Sequence, residues 1–275
     1  MSSAQVGADV LGGEPEILVT AESSIATITI NRPRQLNALT KEMWVQLAAH
    51  VTRLDNDNSA NVLIIRGAGG HAFSAGADIK EFRANGADLG WITRYNAAVA
   101  NAEDAIASTS KPTIAMVEGH CIGGGCAIAM ACDIRFVAAT SRFAVPVAKM
   151  GLVYSLASTR RLVELVGPSE AKILLFSARA LSSGEACQIG LVNRVLEPGA
   201  LIAETYSLAA AISSGSPLSV RAAKEIVRQV LDGVRTDNAE TNAMQSQAAA
   251  SEHYARAVSA FTTARSARAT PSDLA

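Results

Sequence analysis

The sequence predicts an α/β core followed by a helical region. Short apolar runs that read as strands alternate with helical periodicity up to about residue 140, and helical patterning dominates after it. The runs Asn61–Arg66 (NVLIIR) and Thr113–Val117 (TIAMV) are apolar almost throughout, as strands covered on both faces are. Three consecutive glycines, Gly123, Gly124 and Gly125, stand where a strand gives way to a helix.

In chain order, Glu16–Thr20 and Ala26–Ile30 read as a hairpin around a Glu-Ser-Ser turn, and Asn31-Arg32-Pro33 ends its second strand. Thr40 is a helix cap, and Met43, Leu47, Val51 and Leu54 recur at helical spacing behind it. After strand 61–66 comes a Gly/Ala-rich loop, GAGGHAFSAGADIK. A helical region follows over Ile79–Ser108, with a break signalled by Asn85, Gly86 and Gly90. Strand Thr113–Val117, the glycine turn, helix Cys126–Ala131 and strand Asp133–Val137 follow in turn. Arg142–Leu156 reads as a loop, since it shows little periodicity. Leu162–Val166 and Ala171–Phe176 are helical, Ser182 opens a further turn of helix, and Leu191–Leu196 is a short strand. From Leu201 onward the pattern is helical. Ser216-Pro217 starts one helix, with Val220, Ala223, Val227 and Val230 on its apolar face. Ser251-Glu252 opens the last helix, which carries Tyr254, Val258 and Phe261.

These elements divide the chain into a disordered tail (1–13), a core (14–197) and a helical C-terminal region (198–275). With 275 residues, 49% of them hydrophobic, the chain can bury a sizeable core. A net charge of −1 leaves no electrostatic footprint for nucleic acid or an anionic membrane. No apolar stretch reaches the roughly 18 residues of a membrane span, and the N-terminus lacks a signal peptide's basic and apolar regions. Cys121, Cys126, Cys132 and Cys187 form no CxxC pair and have no histidine at ligand spacing. The expectation is reduced, buried thiols in a cytoplasmic protein with no metal site.

The chemistry centres on main-chain groups. Glycines at a strand-to-helix junction leave N–H groups free at the helix start, and such groups suit a carbonyl oxygen that becomes an oxyanion. A second donor is expected from another small-residue loop after a strand, and Ser74-Ala75-Gly76-Ala77-Asp78-Ile79 has that form. Asp78 would open its helix at the positive end. Either loop alone also reads as an ordinary tight turn; the pair is the signal.

With NRPRQLNAL at 31–39, AFSAGADIKEF at 72–82, KPTIAMVEGHCIGGGCAIAMACDIRF at 111–136 and GLVNRV at 190–195, the chain resembles the crotonase, or enoyl-CoA hydratase/isomerase, family over most of its length. The resemblance implies a spiral of ββα units and a C-terminal helical region that builds homotrimers, often paired into hexamers. It also implies an acyl-CoA thioester substrate, with coenzyme A part of the substrate and no separate cofactor. By position, the amides of Ala77 and Gly124 match the two donors to the thioester oxygen. Ala75 and Ile79 match positions whose backbone holds the adenine, and Arg265 is a candidate phosphate contact.

Departures from the family pattern bear on the reaction. The two glutamates that handle water in the hydratases fall on Ala127 and Val147, and neither side chain can carry a proton. An acidic position of some dienoyl-CoA isomerases falls on Ser155. An oxyanion hole without a base still serves decarboxylation of a malonyl-type thioester, where loss of CO2 leaves the enolate directly. Tyr154 matches a tyrosine of the methylmalonyl-CoA decarboxylase branch, where its hydroxyl could orient a carboxylate or a water; that branch has histidine at the position of Ala77. A half-buried packing tyrosine is the alternative. A catalytically silent acyl-CoA binder is a third reading of the chain. Glu118 and His120 are read first as structural members of the glycine turn, Asp133 as fixing the next strand, and Lys80 and Glu81 as lying on a solvated helix face.

Overall fold

The computed structural model describes residues 15–268, with side chains as far as Phe261. The expected tail, 1–13, lies outside the described residues. Strands β1 (Ile17–Glu22) and β2 (Ile25–Ile30) pair antiparallel. Their two-residue turn, Ser23-Ser24, has positive φ at both positions, which matches the right-handed twist of the strands it joins. Helix α1 (Lys41–Asp55) follows, its first turn capped by the Thr40 hydroxyl, which accepts from the Met43 N–H.

Three ββα turns then build the core. The first is β3 (Val62–Gly67), β4 (Ala72–Ser74) and the broken helix α2 (Ile79–Asn85) and α3 (Leu89–Ser108). The second is β5 (Thr113–Val117), β6 (His120–Ile122) and α4 (Gly124–Ala131), and the third is β7 (Ile134–Ala138), β8 (Arg142–Ala144) and α5 (Leu156–Ser177). In each turn the first strand joins a six-stranded sheet and the second a four-stranded one. The chain closes this unit with β9 (Leu181–Ser182), α6 (Ser183–Gln188), β10 (Arg194–Leu196) and α7 (Pro198–Ser213). The sheet orders are β1-β2-β3-β5-β7-β10 and β4-β6-β8-β9, parallel except at β1 and β9.

The central strands of the large sheet, β2, β3, β5 and β7, are buried on both faces, which is why they lack an alternating polar face. Leu63, Ile65, Ala115, Val117 and Val137 pack into the main core with residues of α1, α3 and α4. Their neighbours Val62, Ile64, Ile114, Met116 and Phe136 pack with Leu201 and Ala209 of α7. Helix α7 is thus the cover of the second face. The first compact unit runs to Ser213, and a second begins at Ser214. That unit holds α8 (Pro217–Leu231), α9 (Ala239–Ala249) and α10 (Glu252–Arg268). Within it, Gln229 ties α8 to α9 by donating to Glu240 and accepting from the Asn238 amide. Val227 and Val230, expected on an apolar face of α8, are exposed.

Other expectations are refined by length. β4, β6 and β8 are three residues each, too short to show a period of two. The stretch 142–156 accordingly holds β8 and a 3-10 turn, Ala148–Met150, where a plain loop was expected. The two helical runs expected at 162–176 are parted at Gly167, whose φ of 75 and ψ of 165 are not helical, ahead of Pro168. Among the described residues no helix is long and apolar enough to cross a membrane.

The turn from β5 to β6 passes through Gly119 at φ +70, and a Cβ there would lie 2.0 Å from the His71 carbonyl oxygen. Gly119→Ala is therefore expected to destabilise the protein by at least about 2 kcal/mol, through left-handed strain plus displacement of the 71–72 backbone. Urea denaturation measures it, and a loss below about 0.5 kcal/mol would contradict this reading of the turn.

Candidate active site

Two backbone segments meet at one end of the small sheet. The first leaves β4 through Ser74, whose buried hydroxyl accepts the Gly76 N–H at 3.1 Å. The Ala75 N–H donates to Leu36 O at 2.9 Å, the Leu39 N–H to Gly76 O at 2.7 Å and the Asp78 N–H to Leu39 O at 3.0 Å. Leu39 and Ala77 form an isolated parallel bridge, with the bonds made by Gly76 and Asp78 on either side of Ala77. The pleat therefore turns the Ala77 N–H away from Leu39. That N–H has no partner among the described residues.

The second segment leaves β6 through Gly123, at φ 52 and ψ −108, and enters α4 at Gly124. No side chain caps this helix, so its first N–H groups stay open at the positive end of the dipole. The two segments touch. A Cβ on Gly76 would lie 3.2 Å from Gly124 N and 2.8 Å from Ile122 O. A Cβ on Gly125 would lie 2.6 Å from Ser74 O, and one on Gly124 would lie 2.9 Å from the Trp44 ring. Only glycine allows this approach.

Side chains fix both segments from behind. Asp78 caps α2 by accepting the N–H groups of Lys80 and Glu81, and it pairs with Arg32 at 2.8 Å. Burial alone would raise its pKa, but the Arg32 contact and the two N–H bonds outweigh that and hold the carboxyl below its ordinary 3.8. Trp44 donates its indole N–H to the Tyr95 hydroxyl at 3.1 Å, and Tyr95 packs edge-on against Phe82. The Cys126 thiol donates to Cys121 O at 2.9 Å, tying the start of α4 to β6.

Comparison with known proteins identifies the family. The model of the enoyl-CoA hydratase/isomerase family matches residues 20–268. The chain belongs to the enoyl-CoA hydratase/isomerase family. It is 37% identical over 221 residues to a crotonyl-CoA hydratase of Syntrophomonas wolfei, covering 80% of this chain and 83% of that one. It is 34% identical over 232 residues to a short-chain-enoyl-CoA hydratase of Clostridium acetobutylicum, covering 84% and 87%. The crystal structure of an enoyl-CoA hydratase/carnithine racemase from Magnetospirillum magneticum superposes with a TM-score of 0.86 at 33% identity, covering 91% of this chain and 94% of that one. The ββα spiral expected from the resemblance is the observed fold of this family member.

The residues singled out in the sequence divide into several groups. The turns that carry Ala77 and Gly124 meet through Gly76. Ala75 spends its N–H on Leu36, and Ile79, the first residue of α2, is exposed. The side chain of Arg265 lies outside the described residues. The Tyr154 hydroxyl reaches the glycine turn and donates to Gly123 O at 3.1 Å. Burial raises its pKa, and so do the neighbouring Cys126 and Glu103, so it stays protonated. Ala127 is buried and Val147 half-buried at the two positions where the resemblance places glutamates. His120 is exposed on β6, whose next residue, Cys121, points into the core. Glu118 is half-buried beside Gly70. Asp133 accepts from the Thr113 N–H and hydroxyl, joining the start of β5 to the residue before β7. Lys80 is exposed as expected, but Glu81 is not merely solvated: it accepts the Lys41 N–H at the start of α1. Cys187 is exposed, unlike the other three cysteines.

One cluster near Tyr154 had no sequence signal. The Ser155 hydroxyl donates to Ser158, and Ser158 donates to the buried carboxylate of Glu103 at 2.6 Å. Arg161 donates to the same oxygen at 2.9 Å and to Asp104 at 3.1 Å. Burial raises the Glu103 pKa against the opposing bonds from Ser158 and Arg161. The partners lie 55 and 58 residues apart in sequence, beyond the reach of any spacing rule.

Asp78→Asn keeps a capping side chain but removes the charge that pairs with Arg32. It is expected to cost about 1–2 kcal/mol at neutral pH. Because the native pKa is lowered, this contribution is complete above the unfolded value of 3.8 and fades as pH falls through the native value. Denaturation of wild type and variant at pH 7 and near pH 3 should show the gap closing; a gap independent of pH would contradict the ion-pair assignment.

Proposed function

We propose that the protein acts on acyl-CoA thioesters and stabilises their enolate form with the amides of Ala77 and Gly124. The observation that carries this is the meeting of two small-residue backbone turns in which the Ala77 and Gly124 N–H groups have no partner among the described residues. An enolate concentrates negative charge on one oxygen. Two fixed N–H donors receive that charge without reorganising, and loss of one typically costs about 3–4 kcal/mol, roughly 10²–10³ in rate. The named activities of the relatives, crotonyl-CoA hydratase and short-chain-enoyl-CoA hydratase, support the thioester as substrate. The backbone of Ala75 and Ile79 and the Arg265 side chain are proposed to hold the coenzyme A portion. The exposed Val227 and Val230 of α8 support assembly as a homotrimer or hexamer.

Proton handling is where this chain parts from a two-glutamate hydratase. Ala127 and Val147 supply no acid or base. The Glu103 carboxylate is held by Ser158 and Arg161. Positioned acid–base groups are worth roughly 10²–10⁴ each, so hydration of crotonyl-CoA is expected to run at least about 10⁴-fold below a two-glutamate enzyme assayed beside it. Hydration at that enzyme's rate would overturn the base-free reading. Release of CO2 from methylmalonyl-CoA would assign the site to decarboxylation, and tight binding without turnover of either would mark a silent acyl-CoA binder.

Gly125→Ala tests the hole itself. Its Cβ would meet Ser74 O and push the 74–77 segment off α4. Turnover of whichever thioester is accepted should fall by about 10²-fold or more, as for loss of one donor. Unchanged turnover in a folded variant would show that the two amides do not work as a pair.

A further inference from the structure

The Gly123 carbonyl and the Gly124 N–H belong to one planar peptide group and point in opposite directions. Whatever binds the carbonyl therefore aims the N–H. Gly123 O accepts two bonds, the Ala127 N–H at 3.1 Å from within the helix and the Tyr154 hydroxyl at 3.1 Å from the loop before α5. The Gly123 N–H is itself held by Ala144 O at 2.9 Å. At φ 52 and ψ −108 this residue lies outside helix and strand geometry, so its orientation must be imposed by such contacts.

Tyr154 is well placed to impose it. The loop around it is exposed, with Val153 95% and Leu156 86% accessible, yet Tyr154 turns inward. The residue after it, Ser155, caps α5 through the Ser158 N–H, and the Ser155–Ser158–Glu103–Arg161 chain pins that helix start to α3. The phenol is thus held at its base, and its one proton is committed to the peptide carbonyl. Donation to a carbonyl draws electron density from the amide nitrogen and strengthens the N–H as a donor, a cooperative gain of about 10–30% per bond.

We propose that Tyr154 is a positioning residue that aims and polarises the Gly124 amide through the carbonyl of the same peptide group. The proposal rests on the reading of Gly124 as a donor to the thioester oxygen. It replaces the expectation that the hydroxyl orients a substrate carboxylate or a water, since Tyr154 acts here without touching substrate.

The test is the infrared carbonyl stretch of crotonyl-CoA carrying a carbon-13 label in its thioester group, free and bound, with wild type and Tyr154→Phe. The wild type should shift the stretch to lower frequency. The variant should retain binding but lose roughly a tenth to a third of that shift, with turnover down by roughly two- to fivefold and KM little changed. An equal shift in both proteins would overturn the role of Tyr154 while leaving the proposed function intact. No shift in the wild type would overturn the thioester-donor reading, and Tyr154's role with it. Should the phenylalanine variant not fold, 3-fluorotyrosine at position 154 keeps the hydroxyl and makes it a stronger donor. It should enlarge the shift, and a smaller or unchanged one would overturn the proposal.

Discussion

The close approach of two backbone turns is the constraint on which the rest of this structure depends. Gly76, Gly124 and Gly125 sit where a single added carbon would strike Ile122 O, the Trp44 ring or Ser74 O. The strands β4 and β6, the helix α4 and the indole beneath it can share that volume only because no side chains project into it. In the same two turns the Ala77 and Gly124 amides have no partner among the described residues. Packing and the proposed chemistry therefore make one requirement: the glycines that permit the fold at this point are the ones the proposed donors need.

The ββα repeat explains why these turns coincide. Each repeat sends its long strand to the large sheet and its short strand to the small one. The connection from short strand to helix then recurs at the same edge of the small sheet. β4 leads to the Ala77 turn and β6 to the Gly124 turn, and the two strands are parallel neighbours. Their C-terminal ends must lie side by side. A parallel sheet buried on both faces, with α7 on one and α1, α3 and α4 on the other, is stiff enough to fix the spacing.

Much of this was legible in the sequence, for identifiable reasons. The long strands are apolar runs, the caps at Thr40, Asp78, Ser182 and Ser216 have the right side chains, and each of those four caps its helix. The two small-residue loops were legible because close approach demands glycine. The three-residue strands were not, since they are shorter than any period they could display. The role of α7 was also hidden. Its composition suits any helix, and only the second face of strands 62–67 and 113–117 shows that it must be covered. Long-range polar links, such as Glu103 to Ser158 and Arg161, leave no trace in local spacing. The Tyr154 position was visible, but its hydroxyl partner was a carbonyl, which any residue could have supplied.

A site made of main-chain donors can lose its side-chain acids without losing its shape. Ala127 lies on α4 with its N–H bonded to Gly123 O, a bond independent of the side chain. It is 2% exposed, so a carboxylate there would need its own partners to repay desolvation. Alanine at that position and valine at 147 are apolar and need no such partners. An apolar wall lowers the local dielectric, and a fixed N–H then interacts more strongly with a developing oxyanion. On the proposed function, alanine and valine at these positions supply no proton transfer and leave the main-chain donors as they are. On that same reading the site would serve charge stabilisation more than proton abstraction, and the Gly123–Gly124 peptide held by Tyr154 is the part of it that a side-chain change at 127 or 147 would not touch.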